Sequence, residues 1–252
     1  KKAYKLMENG KNVFITGGGG VGKSYLLKRF ARQYRRIKFV GMTSMTAISA
    51  LLIKGRTLHS FLGIGLGKNP IDFLYTKIMK KKQYRKVWQN LDVLIIDEIS
   101  MMSVTLFEKL EGLARRIRQN NQPFGGIQLI FSGDFCQLPA INEQRFCFES
   151  SIWTECASNT VYLTEIIRQK DKVFQSVLQS LRMGQITEEV KTVLGKCINR
   201  KLESKHSVKP TRIYSLNRNV NHINLKKLNK LKNKQENPNA KEYTLIYKIH
   251  KK

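Results

Sequence analysis

Acidic residues are scarce in this chain: 18 Asp and Glu stand against 46 Lys and Arg among 252 residues, which gives a formal net charge of +28. An excess of this size favours a large polyanionic partner, either a nucleic acid or an anionic membrane surface. Lysine-rich composition can also reflect coding bias, and a basic run such as residues 79–86 can be a solvated helix surface. The charge therefore indicates a class of partner and no more.

Long apolar runs and paired cysteines are missing too. No apolar run approaches the roughly 20 residues that span a bilayer, and the first residues lack the apolar core of a secretory signal. The cysteines occur singly, without a C-x-x-C pair or a histidine at zinc spacing; they are Cys136, Cys147, Cys156 and Cys197. We therefore expect reduced thiols in an intracellular protein, and the sequence argues against membrane insertion, secretion and a disulfide framework.

Strands and helices alternate through residues 12–135. Short apolar runs predict buried strands at 13–16, 37–42, 92–97 and 126–132. Helical spacing of apolar residues predicts helices at 26–34, 45–53 and 103–118. This alternation is typical of an α/β fold with a parallel sheet and helices on both faces.

The first predicted strand runs into a glycine-rich motif that fits G-x-x-x-x-G-K-[ST] in full. Its residues, with the tyrosine that follows, are Gly17, Gly18, Gly19, Gly20, Val21, Gly22, Lys23, Ser24 and Tyr25. Glycines let backbone N–H groups converge on phosphate oxygens, and the following helix directs its positive dipole end to the same place. We expect Lys23 to reach the β- and γ-phosphates of a nucleotide and the Ser24 hydroxyl to ligate Mg²⁺. The alternative, a glycine-rich turn that happens to precede Lys-Ser, is disfavoured by the apolar strand and helix that flank it.

Two carboxylates, Asp97 and Glu98, end the most strand-like stretch of the chain, VLIIDE. Open parallel sheets bind ligands at the carboxyl ends of their strands. We expect Asp97 to hold Mg²⁺, directly or through water, and Glu98 to take a proton from the attacking water. A lone Asp-Glu pair is often a surface turn, but a phosphate loop upstream on the same sheet favours nucleotide hydrolysis.

The next apolar strand is followed by the octet SGDFCQLP, residues 132–139. An amide at this place could hydrogen-bond the γ-phosphate or the attacking water. A loop with Gly, Asp and Pro could also be a simple turn, so the octet by itself is only moderately informative.

Five segments follow one another in the order GGGGVGKS, TSMTAISALLIKGRTLHSFLGIG, LIIDEISMM, PFGGIQLIFSGDFCQLPAI and LTEIIRQ. Together they resemble the successive motifs of superfamily-one helicases, most of all those of the PIF-one type, over residues 14–184 and more weakly to the end. The resemblance implies a RecA-like P-loop NTPase that uses ATP and Mg²⁺ to move 5′ to 3′ on single-stranded DNA and to unwind duplexes. Roles in replication, DNA damage repair, recombination and telomere maintenance come by the same analogy.

The resemblance also assigns site residues. It makes Lys23, Glu98, Gln137 and Arg168 catalytic: Gln137 matches a γ-phosphate sensor, and Arg168 matches an arginine that reaches the γ-phosphate across the cleft between two lobes. A surface salt bridge is the alternative for Arg168. The residues that match elements lying along single-stranded DNA are Thr43, Thr46, Thr57, His59, Ser60 and Phe61. For His59 and Phe61, packing between helix and loop explains the pattern as well as stacking on bases does.

The sequence departs from the family pattern in three places. The octet reads QLPA where QLPP is usual, the family's adenine-contacting glutamine would precede Lys1, and the two late motifs, one of them ending in Ser-Arg, are absent. We therefore expect residues 1–158 to form the first RecA-like, ATP-binding domain and residues 159–252 to begin a second, incomplete one. Strands at 159–163 and 210–214 and helices at 173–182 and 217–231 would belong to that second domain.

The leading hypothesis is an ATP-dependent 5′-to-3′ DNA helicase that works as a monomeric motor on single-stranded and forked DNA. Its expected location is the nucleus or mitochondrion of a eukaryote, or a virus-infected host cell. The alternative is a truncated, nucleotide-dependent DNA-binding module without motor activity. An AAA-type or packaging ATPase is a third hypothesis, which the GDFCQLP loop disfavours.

Overall fold

A parallel six-stranded β-sheet organises the first of the two compact units into which the chain divides, residues 1–196 and 197–252. The computed structural model describes residues 2–141, 143, 145–200 and 211–232. The strands are β1 (Val13–Thr16), β2 (Val40–Ser44), β3 (Arg56–Thr57), β4 (Val93–Asp97), β5 (Gln128–Gly133) and β6 (Asn159–Tyr162). They lie in the order β3-β2-β4-β5-β1-β6, and every pairing is parallel. The predicted α/β fold class is confirmed.

Helices cover both faces of this sheet, as parallel strands with crossover connections require. In the first unit they are α1 (Lys2–Glu8), α2 (Lys23–Tyr34), α3 (Ala47–Leu52), α4 (Leu58–Leu62), α5 (Ile71–Lys80), α6 (Lys82–Asn90), α7 (Val104–Arg118), α8 (Trp153–Cys156), α9 (Lys172–Arg182) and α10 (Glu188–Gly195). The second unit contains α11 (Asn217–Lys232).

The apolar core consists of two clusters, one on each face of the sheet. Leu94 and Ile96 of β4 pack in the cluster that contains α4 to α7, whereas Val93 and Ile95 pack in the cluster that contains α1 and α2. Successive residues of a strand point to opposite faces, so one apolar run supplies both clusters. This is why β1, β2, β4 and β5 are buried along their whole length.

The order of the three central strands creates the candidate site. Strand β5 lies between β4 and β1 and pairs with both. The carboxyl ends of these strands, at Asp97, Gly133 and Thr16, therefore lie side by side along one edge of the sheet. The loops that leave this edge carry the residues that the sequence assigned to nucleotide chemistry.

Two predicted strands differ from the structure. The strand predicted at 37–42 begins later, at Val40, because the N–H groups of Ile37 and Lys38 donate to the carbonyl of Tyr34 in a turn after α2. The strand predicted at 210–214 is not formed by residues 211–214, which carry no regular structure, and residue 210 lies outside the described residues. The helix predicted to follow it is present as α11.

The strand predicted at 159–163 forms as β6, but it pairs in parallel with β1. It completes the first sheet and does not open a second domain, since its hydrogen bonds are made to that sheet. The rest of the predicted division at residue 158 stays a prediction. No helix among the described residues is long and apolar enough to cross a membrane.

Arg118, at the end of α7, joins the loops on the amino-terminal side of β4 and β5. Its half-buried guanidinium donates to the carbonyls of Gly125 (2.6 Å), Trp88 (2.9 Å), Gln89 (2.9 Å) and Leu91 (3.1 Å). We predict that Arg118→Ala lowers the free energy of unfolding by about 3 kcal/mol, because carbonyls at this junction lose a charged donor. Urea denaturation measures the change.

The matched control for this prediction is Arg32→Ala, which removes an exposed arginine from α2. It should change the free energy of unfolding by no more than about 0.5 kcal/mol. Equal effects of the two substitutions would contradict the structural role given to Arg118.

Candidate active site

The phosphate loop (residues 17–24) turns from the end of β1 into α2. Gly17, Gly20 and Gly22 have φ values of 141°, 81° and 91°, a backbone conformation that favours glycine. A Cβ atom on Gly17 would also lie 2.1 Å from the carbonyl oxygen of Leu163. The backbone conformation of the loop therefore favours glycine at these three positions. At Gly17 the nearby carbonyl of Leu163 also leaves no room for a side chain.

Lys23 is the first residue of α2, and its ammonium group turns back over the loop. Its Nζ donates to the carbonyls of Gly17 (2.5 Å) and Gly18 (2.9 Å). Burial lowers the pKa of Lys23, and this effect is opposed by the nearby carboxylates of Asp134, Glu98 and Asp97. Those carboxylates favour the charged form, which is the form that binds a phosphate. Tyr25, predicted together with the loop, is 68% exposed.

The magnesium ligands predicted from the sequence are brought together. The hydroxyl of Ser24 donates to Oδ2 of Asp97 at 3.0 Å, and Asp97 is only 1% exposed. Within the described ranges no group of three or more His, Cys, Asp or Glu side chains is placed to hold a metal. A hydroxyl beside a carboxylate nevertheless fits Mg²⁺, which takes one or two protein oxygens and completes its shell with phosphate and water oxygens.

Glu98 follows β4 in a left-handed backbone conformation, with φ 57° and ψ 45°. Such a conformation is uncommon for a residue other than glycine and is found at functional sites. Burial raises the pKa of the Glu98 carboxyl, the neighbouring Asp97 and Asp134 add to the rise, and Lys23 opposes it. A carboxylate with a raised pKa is a better proton acceptor, as a general base requires.

The loop after β5, here called the sensor loop (residues 134–137), is built around a buried aspartate. Asp134 is 1% exposed, and its carboxylate accepts hydrogen bonds from the backbone N–H of Cys136 (3.2 Å) and from Nε2 of Gln137 (3.1 Å). The backbone N–H of Gln137 also donates to the Asp134 carbonyl at 2.9 Å. The predicted sensor Gln137 is therefore held through Asp134.

Arg182 is the functional candidate that sequence reasoning missed. It ends α9, and its Nε and Nη2 each donate to one oxygen of Asp134 at 2.8 Å. Burial by itself would raise the pKa of Asp134, but the hydrogen bonds from Arg182, Cys136 and Gln137 lower it overall. Nothing in the local sequence distinguishes Arg182 from other helical arginines, since its partner is 48 residues away.

Residues 163–169, here called the crossing segment, run across the phosphate loop. The N–H of Leu163 donates to the carbonyl of Thr16 (2.8 Å), and those of Ile167 (2.9 Å) and Arg168 (3.2 Å) donate to the carbonyl of Gly20. The exposed Arg168 side chain lines a cavity of about 290 Å³ together with phosphate-loop, sensor-loop and α9 residues, among them Gly18, Gly19, Gln137 and Arg182. The structure thus brings Arg168 next to the phosphate loop.

The residues predicted to bind DNA fall into two groups. Thr43 is fully buried and its hydroxyl donates to the carbonyl of Ile95 at 2.6 Å, which is at odds with a DNA contact. Phe61 packs against the core and makes an edge contact with Phe39, and a Cβ atom on Gly41 would lie 2.6 Å from its ring. For Phe61 the described contacts are those of packing.

The other predicted DNA residues lie at helix starts. Thr46 caps α3, and Thr57 caps α4 by accepting the N–H of Ser60. His59 is half-buried, and burial lowers its pKa. A groove of about 410 Å³, here called the basic groove, is lined by Thr57, His59, Ser60, Gly63, Gly65, Lys77, Lys81 and Tyr84.

Comparison with known proteins identifies relatives. The chain matches the family model described as PIF1-like helicase over residues 2–192. It is 40% identical over 236 residues to the ATP-dependent DNA helicase RRM3 of Saccharomyces cerevisiae, a match covering 90% of this chain and 32% of the yeast protein. The solved Pif1 helicase of Candida albicans superimposes with a TM-score of 0.86 at 40% identity, covering 90% of this chain and 53% of that one.

A second solved structure, the Bacteroides Pif1 helicase in complex with ADP-AlF3 and ssDNA, superimposes with a TM-score of 0.78 at 27% identity. The match covers 91% of this chain and 56% of the Bacteroides chain. The chain thus spans about a third of the yeast protein and about half of the solved chains.

We predict that Glu98→Gln raises the midpoint of thermal unfolding by about 2 °C at neutral pH, because the fold disfavours the charged form of a carboxyl whose pKa is raised. The sign follows from linkage between protonation and folding. Because the pKa of Glu98 is higher in the folded state than its ordinary value of 4.5, protonation of Glu98 stabilises the fold below pH 4.5, and this stabilisation is lost as the pH rises through the raised pKa. The advantage of the Glu98→Gln variant should therefore disappear below pH 4.5.

Differential scanning calorimetry between pH 4 and pH 8 measures this effect. Glu165→Gln, which removes an exposed carboxylate, is the control and should change the midpoint at neutral pH by less than about 1 °C. A Glu98→Gln variant that is less stable than the wild type at neutral pH would contradict the predicted electrostatics.

Proposed function

Because the chain belongs to the PIF1-like helicase family, we propose that it acts in an ATP-dependent 5′-to-3′ DNA helicase that moves on single-stranded DNA and unwinds duplexes. One observation carries the proposal: Ser24 of the phosphate loop lies 3.0 Å from Asp97 at the end of β4, beside Glu98. The glycine-rich loop, the Ser24–Asp97 pair and Glu98 lie at one edge of the sheet, which supports a phosphate cradle, a metal site and a general base there. The Bacteroides relative was solved with ADP-AlF3 and ssDNA, which supports the same ligand classes here.

The proposed hydrolysis uses the described side chains in distinct roles. Backbone N–H groups of the phosphate loop and the start of α2 bind the phosphates, and Lys23 exchanges its carbonyl partners for phosphate oxygens. Ser24 and Asp97 would hold Mg²⁺, which would supply positive charge that stabilises the negative charge of the phosphates. Glu98 accepts a proton from the attacking water, while Gln137 and Arg168 act on the γ-phosphate.

DNA binding is proposed to use the basic groove. Its wall combines Thr57, which caps α4, and Ser60 within α4 with the ammonium groups of Lys77 and Lys81, and none of its lining residues is acidic. Hydroxyl and ammonium donors suit the phosphates of single-stranded or forked DNA, and Tyr84 offers an aromatic face. Roles in repair, recombination and telomere maintenance, and a nuclear, mitochondrial or viral setting, belong to the same proposal.

We predict that Lys23→Ala lowers single-strand-stimulated ATP hydrolysis by about 100-fold or more, because the variant loses the cation that contacts the β- and γ-phosphates. Phosphate release with and without single-stranded DNA measures turnover, and anisotropy of a labelled oligonucleotide measures DNA binding, which should be retained. Lys28→Ala, at an exposed position of the same helix, is the control and should hydrolyse ATP normally.

Normal turnover in Lys23→Ala would remove the site assignment. A wild-type chain that binds ATP and DNA but does not hydrolyse ATP, whether or not DNA is present, would favour the alternative function, a nucleotide-dependent DNA-binding module.

We predict that Lys77→Ala combined with Lys81→Ala reduces the dependence of DNA affinity on salt. The logarithm of the DNA-binding constant K falls as log salt rises, and for single strands each lost phosphate contact makes this slope shallower by about 0.7. The double variant should therefore have a slope that is shallower by about 1.4. The control, Lys28→Ala with Arg32→Ala, removes the same charge from α2 on the opposite face of the sheet. Titrations at four salt concentrations measure the slopes, and equal losses in the two double variants would refute a specific role of the groove.

A further inference from the structure

We propose that Arg182 is a positioning residue for γ-phosphate sensing: its ion pair with Asp134 sets the orientation of the Gln137 amide in the sensor loop. This inference rests on the proposed nucleotide site and adds a residue that the helicase motifs do not include. It starts from the juxtaposition of the end of α9, the sensor loop and the phosphate loop around one cavity.

The Asp134 carboxylate is the centre of this arrangement. One oxygen accepts from Arg182 Nη2 and from the Cys136 N–H, and the other accepts from Arg182 Nε and from Gln137 Nε2. Both oxygens of a side chain that is 1% exposed are thus occupied. A two-point contact with a planar guanidinium fixes the plane of the carboxylate, and the carboxylate in turn fixes the Gln137 amide.

The orientation of the Gln137 amide has a chemical consequence. Because its Nε2 donates to Asp134, its Oε1 is left as the acceptor that can receive a hydrogen bond from the attacking water. Loss of Arg182 would let the carboxylate rotate, and the amide would lose the partner that decides which way it faces. Arg182 therefore acts on the reaction through Asp134 and Gln137.

The position of Arg182 argues for this indirect role. Its Cδ lies 3.5 Å from the place where a Cβ on Gly18 would be, so the side chain borders the phosphate loop. Nε and Nη2 make the two-point contact with Asp134, and Nη1 lies 3.8 Å from the sulfur of Met183. Asp134 thus engages the two donors that fix the plane of the guanidinium, which is the arrangement of a group that orients its neighbour.

A small number of variants tests the proposal by nucleotide binding, which needs no turnover. Fluorescently labelled ADP and its non-hydrolysable triphosphate counterpart, AMPPNP, are titrated into the wild type, Arg182→Ala, Gln137→Ala and the double variant. We expect the wild type to prefer the triphosphate, and each single substitution to reduce that preference by about tenfold. The double variant should lose no more than either single variant, because both act through one contact.

Two further variants separate orientation from charge and from stability. Arg182→Lys keeps the charge but cannot make the two-point contact, so it should resemble Arg182→Ala in triphosphate preference. Arg145→Ala breaks an exposed ion pair with Glu149 and should keep the wild-type preference. The midpoint of thermal unfolding of every variant is measured alongside.

The outcomes are distinct. Multiplied losses in the double variant would show that Arg182 contacts the nucleotide by itself and would overturn the inference. A lower unfolding midpoint with an unchanged triphosphate preference in Arg182→Ala would show a purely structural pair and would also overturn it. A wild type that binds neither nucleotide would refute the proposed nucleotide site itself, and the inference with it.

Discussion

The chemistry proposed for this chain depends on one geometric constraint, the adjacency of β4, β5 and β1 in a parallel sheet. Parallel pairing brings the carboxyl ends of neighbouring strands to the same edge. Residues separated by more than 70 positions, such as Ser24 and Asp97, thereby reach hydrogen-bonding distance. The strands are buried on both faces by two apolar clusters, so this edge is a rigid base for the loops that leave it.

Two charged groups at this edge, Lys23 and Asp134, are balanced by opposite charges. Lys23 is surrounded by three carboxylates that oppose the effect of its burial, and the buried Asp134 is matched by Arg182. Glu98 is the exception, because its strongest influences are burial and neighbouring negative charge. The least favourable charge of the group is therefore carried by the residue to which we assign proton transfer, as expected where function is favoured over stability.

Features that depend on a short contiguous stretch of residues were predicted well from the sequence. The strands β1, β4 and β5, the phosphate loop and the Asp97–Glu98 pair follow from short runs whose periodicity or composition is decisive. Contacts between distant positions were not predictable in this way: Arg182 is defined by a partner 48 residues away. Thr43 and Phe61 carry groups suited to DNA, but the packing of their neighbours turns them inward. The strand β6 was assigned to a second domain, although it pairs with β1, because the composition of an apolar run does not indicate which strand it pairs with.

The crossing segment is held in place by main-chain hydrogen bonds. The N–H of Leu163 donates to Thr16 at the end of β1, and those of Ile167 and Arg168 donate to Gly20 in the phosphate loop. These bonds use the peptide group, so they do not depend on which side chain each of the three positions carries. The main-chain bond of Arg168 to Gly20 therefore places the residue beside the phosphate loop without using its exposed guanidinium, which stays available to a ligand.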